Sequence, residues 1–139
     1  MNSIVHTVAF RGLDAVPVAV QAHLSNGLPA MMIVGLADKA VAESKERIRS
    51  ALSSMGLSLP AKRIAINLAP ADVTKEGAHF DLPIAVALMV AMGVIAQEDV
   101  TDSLVIGELL LDGMIAPVAG VLSAALHASS RQMSLICPQ

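Results

Sequence analysis

Two segments near the start of the chain alternate between apolar and polar residues. Residues 4–10 and 16–23 follow this period of two, and Gly12 and Asp14 lie between them. Side chains on a strand point alternately to opposite faces, so the pattern predicts a β-hairpin with one buried face. A short apolar run over residues 30–34 predicts a further buried strand.

The period then changes to that of a helix. Apolar residues recur at helical spacing at Val41, Ile48, Leu52 and Met55. We expect Asp38 to cap the start of this helix and Gly56 to supply the left-handed residue at its end. Its exposed side is predicted to carry Lys39, Glu43, Glu46, Arg47 and Arg49.

The second half of the chain continues the alternation of strands and helices. Residues 63–68 predict a strand, and residues 72–78 form a polar loop. Asp81 is expected to cap a helix that stays apolar through Met92 and must be covered on nearly all sides. The rest predicts a strand over 104–111, a tight turn at 112–113, a returning strand over 114–118, a helix over 119–131 and a last strand over 134–137.

This order of elements, ββ-β-α-β-α-ββ-α-β, predicts an α/β (α+β) fold in which helices pack on a mixed β-sheet. The 139 residues suit one domain, 1–139, with a continuous core. Hydrophobic residues make up 55% of the chain and charged residues 15%, which excludes intrinsic disorder. The apolar surplus indicates either a large core or surface that a partner covers.

Composition also excludes some functions. Phe10 and Phe80 are the only aromatic residues apart from histidine, so stacking on nucleic-acid bases is not a main binding mode. Cys137 is the only cysteine, which excludes an intrachain disulfide and a thiolate-rich zinc site. The first ten residues lack the pattern of a secretory signal, so we expect a cytoplasmic protein. The uncharged run over 82–96 is shorter than the roughly 18–20 residues that span a bilayer, so no membrane partner is expected.

Positive charge is concentrated in the middle of the chain. The net charge is −3, yet seven of the nine basic residues and four acidic ones fall between positions 39 and 76, giving that window +3. Such a cluster is a candidate for nucleic-acid binding, and a solvated helix face interrupted by Glu43 and Glu46 explains it equally well. The candidate residues are Arg47, Arg49, Lys62, Arg63 and Lys75.

Cofactor and metal motifs are missing from the sequence. A phosphate-binding P-loop needs a glycine-rich string followed by Lys and Ser or Thr, and the nearest string, residues 35–39, is better interpreted as a loop entering a helix. The four histidines are scattered and form no i, i+4 pair, so no metal site is expected. We therefore expect no cofactor in this domain.

Four segments carry a resemblance to a known family: residues 25–29 (SNGLP), 33–44 (IVGLADKAVAES), 68–85 (LAPADVTKEGAHFDLPIA) and 107–113 (GELLLDG). Together they resemble the N-terminal domain of the magnesium-chelatase-related AAA+ ATPases of the ComM and YifB type. Ala37 stands where that family usually has proline. The resemblance implies a DNA-processing role such as branch migration in transformation. It also implies a following ATPase domain that uses ATP and Mg. The partners it implies are that ATPase domain, neighbouring subunits in a ring, and DNA.

The family is in turn similar to the proteolytic domain of Lon and to the second domain of a small-subunit ribosomal protein. Lon-like proteases use a Ser nucleophile and a Lys base, and the corresponding positions here are His79 and Leu122. Neither residue supplies that chemistry, so the resemblance implies a non-catalytic scaffold with a degenerate dyad. Ser123, beside Leu122, has no identified base. The alternatives are an accessory domain of a metal chelatase and a residual Lon-like peptidase.

Overall fold

A computed structural model describes residues 2–139. Eight strands and three α-helices follow one another, with short 3-10 turns at Ala78–Phe80 and Gln97–Asp99. In chain order they are β1 (Asn2–Arg11), β2 (Asp14–Ser25), β3 (Ala30–Val34), α1 (Asp38–Ser54), β4 (Arg63–Ala69), α2 (Asp81–Ala91), β5 (Ser103–Val105), β6 (Glu108–Leu109), β7 (Ile115–Ala116), α3 (Val121–Ser130) and β8 (Ser134–Ile136).

Six of the strands form one mixed sheet in the order β3-β4-β2-β1-β5-β8. The long hairpin β1–β2 is antiparallel, and β4 pairs antiparallel to β2. The remaining pairs, β3–β4, β1–β5 and β5–β8, are parallel. The predicted α/β fold, a mixed sheet with helices packed on it, is confirmed.

Helices α1 and α2 cover one face of the large sheet. All eleven residues of α2 are buried, and Ile48 and Leu52 of α1 join the same core. Ser3 on β1 donates its hydroxyl hydrogen to the carbonyl oxygen of Ala87 on α2, at 2.6 Å, which fixes the helix on the sheet. The prediction of a fully covered helix after Asp81 is thus confirmed. Within residues 2–139, no helix has the length and apolar character needed to cross a membrane.

The opposite face of the sheet is only partly covered. Helix α3 places Ala124 and Ala128 against Val8 and Leu104, which makes a second, smaller core. The strand positions farther from α3 on this face carry polar and exposed side chains, including Asn2, Ile4, Gln21, His23 and Asn67. This uncovered half of the sheet leaves a long open surface beside α3.

One predicted strand is wrong, because residues 104–111 form two strands and not one. Strand β5 ends at Val105, and β6 pairs with β7 in a separate two-stranded sheet. At the break, the Gly107 N–H donates to the His79 carbonyl and the Leu82 N–H donates to the Gly107 carbonyl. A Cβ atom on Gly107 would lie 2.9 Å from Cγ2 of Ile115, so a residue without a side chain allows this close approach.

The helix ends agree with the sequence in one case and differ in two. Gly56 has φ +78°, and the Gly56 and Leu57 N–H groups bond back to Ser53 and Leu52, as in a Schellman motif. The N-cap of α1 is Ala37, and Asp38 lies within the first turn. The N-cap of α2 is Phe80. Asp81 is therefore inside its helix, where its carboxylate is available for other partners.

Candidate functional site

Arg47 is one of the five cations proposed to contact nucleic acid, and the structure pairs it with Asp81. Its Nε donates to Oδ2 of Asp81 at 2.5 Å and its Nη2 donates to Oδ1 at 3.1 Å. The hydrogen bond to Asp81 is the main reason that the pKa of Arg47 is raised. The prediction that Arg47 lies on the exposed side of α1 is corrected, because it lies half-buried and its guanidinium is committed inside the protein.

Asp81 joins three elements of the fold. Besides Arg47, its carboxylate accepts hydrogen bonds from the hydroxyl of Ser44 at 2.8 Å and from the N–H of Leu109 at 3.2 Å. The side chain is 1% exposed. Buried charges are tolerated when they are paired and hydrogen-bonded, and here α1 and β6 supply the partners of a carboxylate that stands on α2. Sequence reasoning assigned Asp81 a capping role and missed this one.

Lys75 also lies away from the surface, since only 4% of the residue is exposed. Its ammonium group donates to the carbonyl oxygen of Pro70 at 2.5 Å, so it closes the loop between β4 and α2. A lysine that is buried and bonded in this way does not present its charge to a phosphate backbone. The structure therefore separates Arg47 and Lys75 from the other three candidates.

Arg49, Lys62 and Arg63 remain exposed near the edge of the sheet where β3 and β4 begin. Arg49 and Lys62 line one depression of about 270 Å³. Arg63 alternates with the buried Ile64, so it points to the uncovered face, where its Nη2 lies 3.4 Å from Sδ of Met32. Within the described residues, none of these three cations forms an ion pair.

His79, one half of the proposed degenerate dyad, is an internal residue. It is 6% exposed, and its Nε2 bonds to the carbonyl oxygen of Val8 at 2.8 Å. A carbonyl only accepts hydrogen bonds, so Nε2 carries the proton. Burial lowers the pKa of His79, which is therefore neutral near pH 7, and its ring packs 5.0 Å from that of Phe10.

Leu122, the other half, points outward and is 74% exposed. Its helix packs against the same Phe10, because a Cβ atom on Gly120 would lie 2.5 Å from Cζ of that ring. Phe10 thus contacts both the segment that holds the buried imidazole of His79 and the segment that holds the exposed Leu122. Ser123 donates its hydroxyl hydrogen to the carbonyl of Leu13 at 3.1 Å, and among residues 2–139 no basic side chain is hydrogen-bonded to it.

A concavity of about 690 Å³ lies on the uncovered sheet face beside α3. Arg131 donates from Nε to Nε2 of His127 at 2.9 Å at its rim, and burial lowers the pKa of His127. No motif in the sequence predicts this groove, because its lining comes from several elements that are distant along the chain. Across residues 2–139, no three His, Cys, Asp or Glu side chains converge as metal ligands would.

Comparison with known proteins places the chain in a family. The family described as ChlI, subunit ChlI of Mg-chelatase, matches residues 20–139. The uncharacterized proteins YifB of Salmonella typhimurium and of Escherichia coli are each 45% identical over 126 residues, which is 91% of this chain and 25% of each relative. Competence protein ComM of Haemophilus influenzae is 42% identical over 134 residues, 96% of this chain and 26% of the relative.

The chain spans about a quarter of the length of these relatives. The family match nevertheless covers most of the chain itself. The segments that suggested a resemblance, from 25–29 to 107–113, all lie within the matched residues. The chain therefore belongs to the ChlI family and is a magnesium-chelatase-related domain of the ComM and YifB type.

Proposed function

We propose that this chain is a non-catalytic binding and assembly domain of a longer, ComM-like AAA+ ATPase that acts in DNA processing, such as branch migration during transformation. The observation that carries the proposal is the 42% identity to competence protein ComM along nearly the whole chain. ATP and Mg would be used by an ATPase domain in the rest of the protein. A DNA-processing role agrees with the cytoplasmic location expected from the sequence.

The geometry at the dyad positions supports a non-catalytic domain. A serine nucleophile needs a base within about 3 Å, and catalysis by such a pair requires both groups in one accessible site. Here His79 is buried against Val8 and Leu122 extends into solvent. Ser123 is hydrogen-bonded to a main-chain carbonyl.

Helix α3 supports the assembly part of the proposal. Its small residues Ala124 and Ala128 face the sheet, and its larger Leu122 and Leu126 are 74% and 64% exposed. Leu13 at the tip of the β1–β2 hairpin is 92% exposed and is tied to this helix through Ser123. Water-exposed leucines that are placed together favour burial against a partner. In a ring, the protein's own ATPase domain or a neighbouring subunit would cover them.

Three of the candidate cations support the DNA part, because they stay exposed and, within residues 2–139, form no ion pair with an acid: Arg49, Lys62 and Arg63. Each phosphate neutralised by a cation contributes about −0.9 to the slope of log affinity against log salt. We expect weak binding of duplex DNA by the 139-residue chain, with a slope no steeper than about −3. Fluorescence anisotropy of a labelled duplex at a series of salt concentrations measures both quantities.

The variant Arg49→Glu, Lys62→Glu, Arg63→Glu should abolish this binding. The single variant Lys39→Glu, which reverses an exposed charge at the start of α1, is the control and should bind nearly as the parent does. Equal loss in both proteins, or no loss in the triple variant, contradicts a DNA contact at this edge. Cleavage of an unfolded protein by the chain, abolished by Ser123→Ala, would instead favour the residual peptidase.

A further inference from the structure

The depression between α1 and the start of β4 is built from fixed parts. Arg49 follows Ile48, which is wholly buried, so the core determines where the Arg49 side chain leaves the helix. Lys62 immediately precedes β4, and its carbonyl accepts from the N–H of Ala30 at the start of β3. Both cations therefore stand on backbone that is held by the fold.

The lining of this depression is positive and contains no acid. Apart from Arg49 and Lys62, it is made of apolar or small residues such as Pro29, Leu59 and Pro60. A carboxylate of the protein could compete with an external anion for these two cations. Within the described part of the chain, neither cation forms an ion pair with one. The concentrated positive potential is thus left for an anion from outside.

Main-chain donors are also available at the same place. The N–H groups of Ala61 and Lys62, in the loop that leads into β4, bond to no acceptor within residues 2–139. Exposed amides beside cationic side chains are the usual constituents of phosphate sites. The volume, about 270 Å³, falls below the range of roughly 300–1,000 Å³ typical of pockets for drug-sized ligands, which leaves room for a small anion such as a single phosphate group.

We infer that the Arg49–Lys62 depression is a phosphate-binding site that holds one phosphate group between the two side chains and the amides of Ala61 and Lys62. Arg49 supplies the planar fork of donors that matches phosphate oxygens, and Lys62 supplies a point charge. A free phosphate and the backbone of a nucleic acid share this chemistry. That the phosphate group belongs to a nucleic acid rests on the proposed function, whereas the existence of the phosphate-binding site does not.

The test follows backbone amide NMR signals of the 139-residue chain during titration with inorganic phosphate at low ionic strength. We expect saturable shifts at Arg49, Ala61 and Lys62. Arg49→Gln and Lys62→Gln should each weaken binding about tenfold or more, because each removes a charged hydrogen bond. Lys39→Gln is the matched control, since it removes one exposed charge from α1 about 15 Å away along the helix axis.

The proposed site is wrong if the amide signals of these three residues do not shift. It is also wrong if Lys39→Gln weakens phosphate binding as much as Arg49→Gln and Lys62→Gln do. A second titration with a short DNA duplex, and with the same duplex carrying an uncharged methylphosphonate backbone, identifies the source. Displacement of phosphate by the charged duplex alone supports a nucleic-acid backbone contact. If phosphate binds and the charged duplex does not displace it, the site stands as one for free phosphate and the DNA contact proposed at this edge fails.

Discussion

At the scale of single residues, the group with the largest expected effect on stability is the carboxylate of Asp81. It is buried, and it receives two hydrogen bonds from Arg47, one from Ser44 and one from Leu109. Removing a charge of this kind does not simply delete a favourable contact. It leaves the partners buried without an acceptor, and that penalty dominates the change in free energy.

We therefore predict that Asp81→Ala lowers the free energy of unfolding by about 3–5 kcal/mol. Urea denaturation monitored by circular dichroism measures this loss. The control is Glu43→Gln, since Glu43 is exposed and lies 3.9 Å from Arg47; an exposed pair contributes about 1 kcal/mol at most. A loss below about 1 kcal/mol for Asp81→Ala would contradict the central role of this carboxylate.

At the scale of elements, the joint between β3 and α1 depends on a glycine. Gly35 has φ +105°, a left-handed conformation that other residues rarely adopt. A Cβ atom there would lie 2.6 Å from the carbonyl oxygen of Leu68 on β4. Because that neighbour is main chain within a sheet, it cannot rotate away. The glycine thus permits the close approach of the β3–α1 loop to the adjacent parallel strand.

Gly35→Ala should consequently destabilise the protein more than Gly12→Ala does. Gly12 also has a positive φ, +62°, but no other atom of the described residues 2–139 crowds the position its Cβ would take, within 4 Å. The comparison isolates the steric clash, which should add about 1–3 kcal/mol to the cost of the unfavourable backbone angle. Thermal and urea unfolding of both variants measure it. Equal destabilisation would show that the β3–α1 loop relaxes away from Leu68.

At the scale of the whole molecule, strand β1 and the start of α2 meet at His79. Its imidazole bonds to β1 through Val8 and packs between Phe10 and Phe80. Asp81 is the charged group near it and favours the protonated form, but burial is the larger effect and lowers the pKa of His79. The packed core therefore holds this histidine in its neutral form.

Stability should decrease as the pH falls from about 7 to 5.5. The folded-state pKa of His79 lies below its ordinary value of 6.5, so the unfolded chain takes up the proton first. The full stability is present above that ordinary value and is lost progressively below it. His127, whose pKa burial also lowers, acts in the same direction but lies nearer the surface.

Urea midpoints at several pH values above 5, where ordinary carboxylates stay ionised, measure this dependence. His79→Gln should remove most of it, because glutamine keeps a donor for Val8 and does not titrate. His6→Gln, on the uncovered sheet face, should retain it. An unchanged pH dependence in His79→Gln would assign the effect to other groups.

Local sequence patterns were sufficient to predict most of the elements. Three patterns indicate which side chains are buried. They are the period of two in β1 and β2, the helical repeat from Val41 to Met55, and the wholly apolar run after Asp81. Gly56 could be assigned as a helix end because a left-handed residue there favours glycine for reasons confined to one or two residues. These features need no knowledge of distant partners.

The roles of individual charged side chains depended on the tertiary structure. The sequence placed Arg47, Arg49, Lys62, Arg63 and Lys75 in one basic window, and it predicted one strand across residues 104–111. Folding brought Asp81 to Arg47 across 34 positions and buried Lys75 against Pro70. It also bent the chain at Gly107 and left Arg49 and Lys62 at one depression. A periodic pattern determines which face of an element is buried, but which side chains then meet depends on how the elements pack.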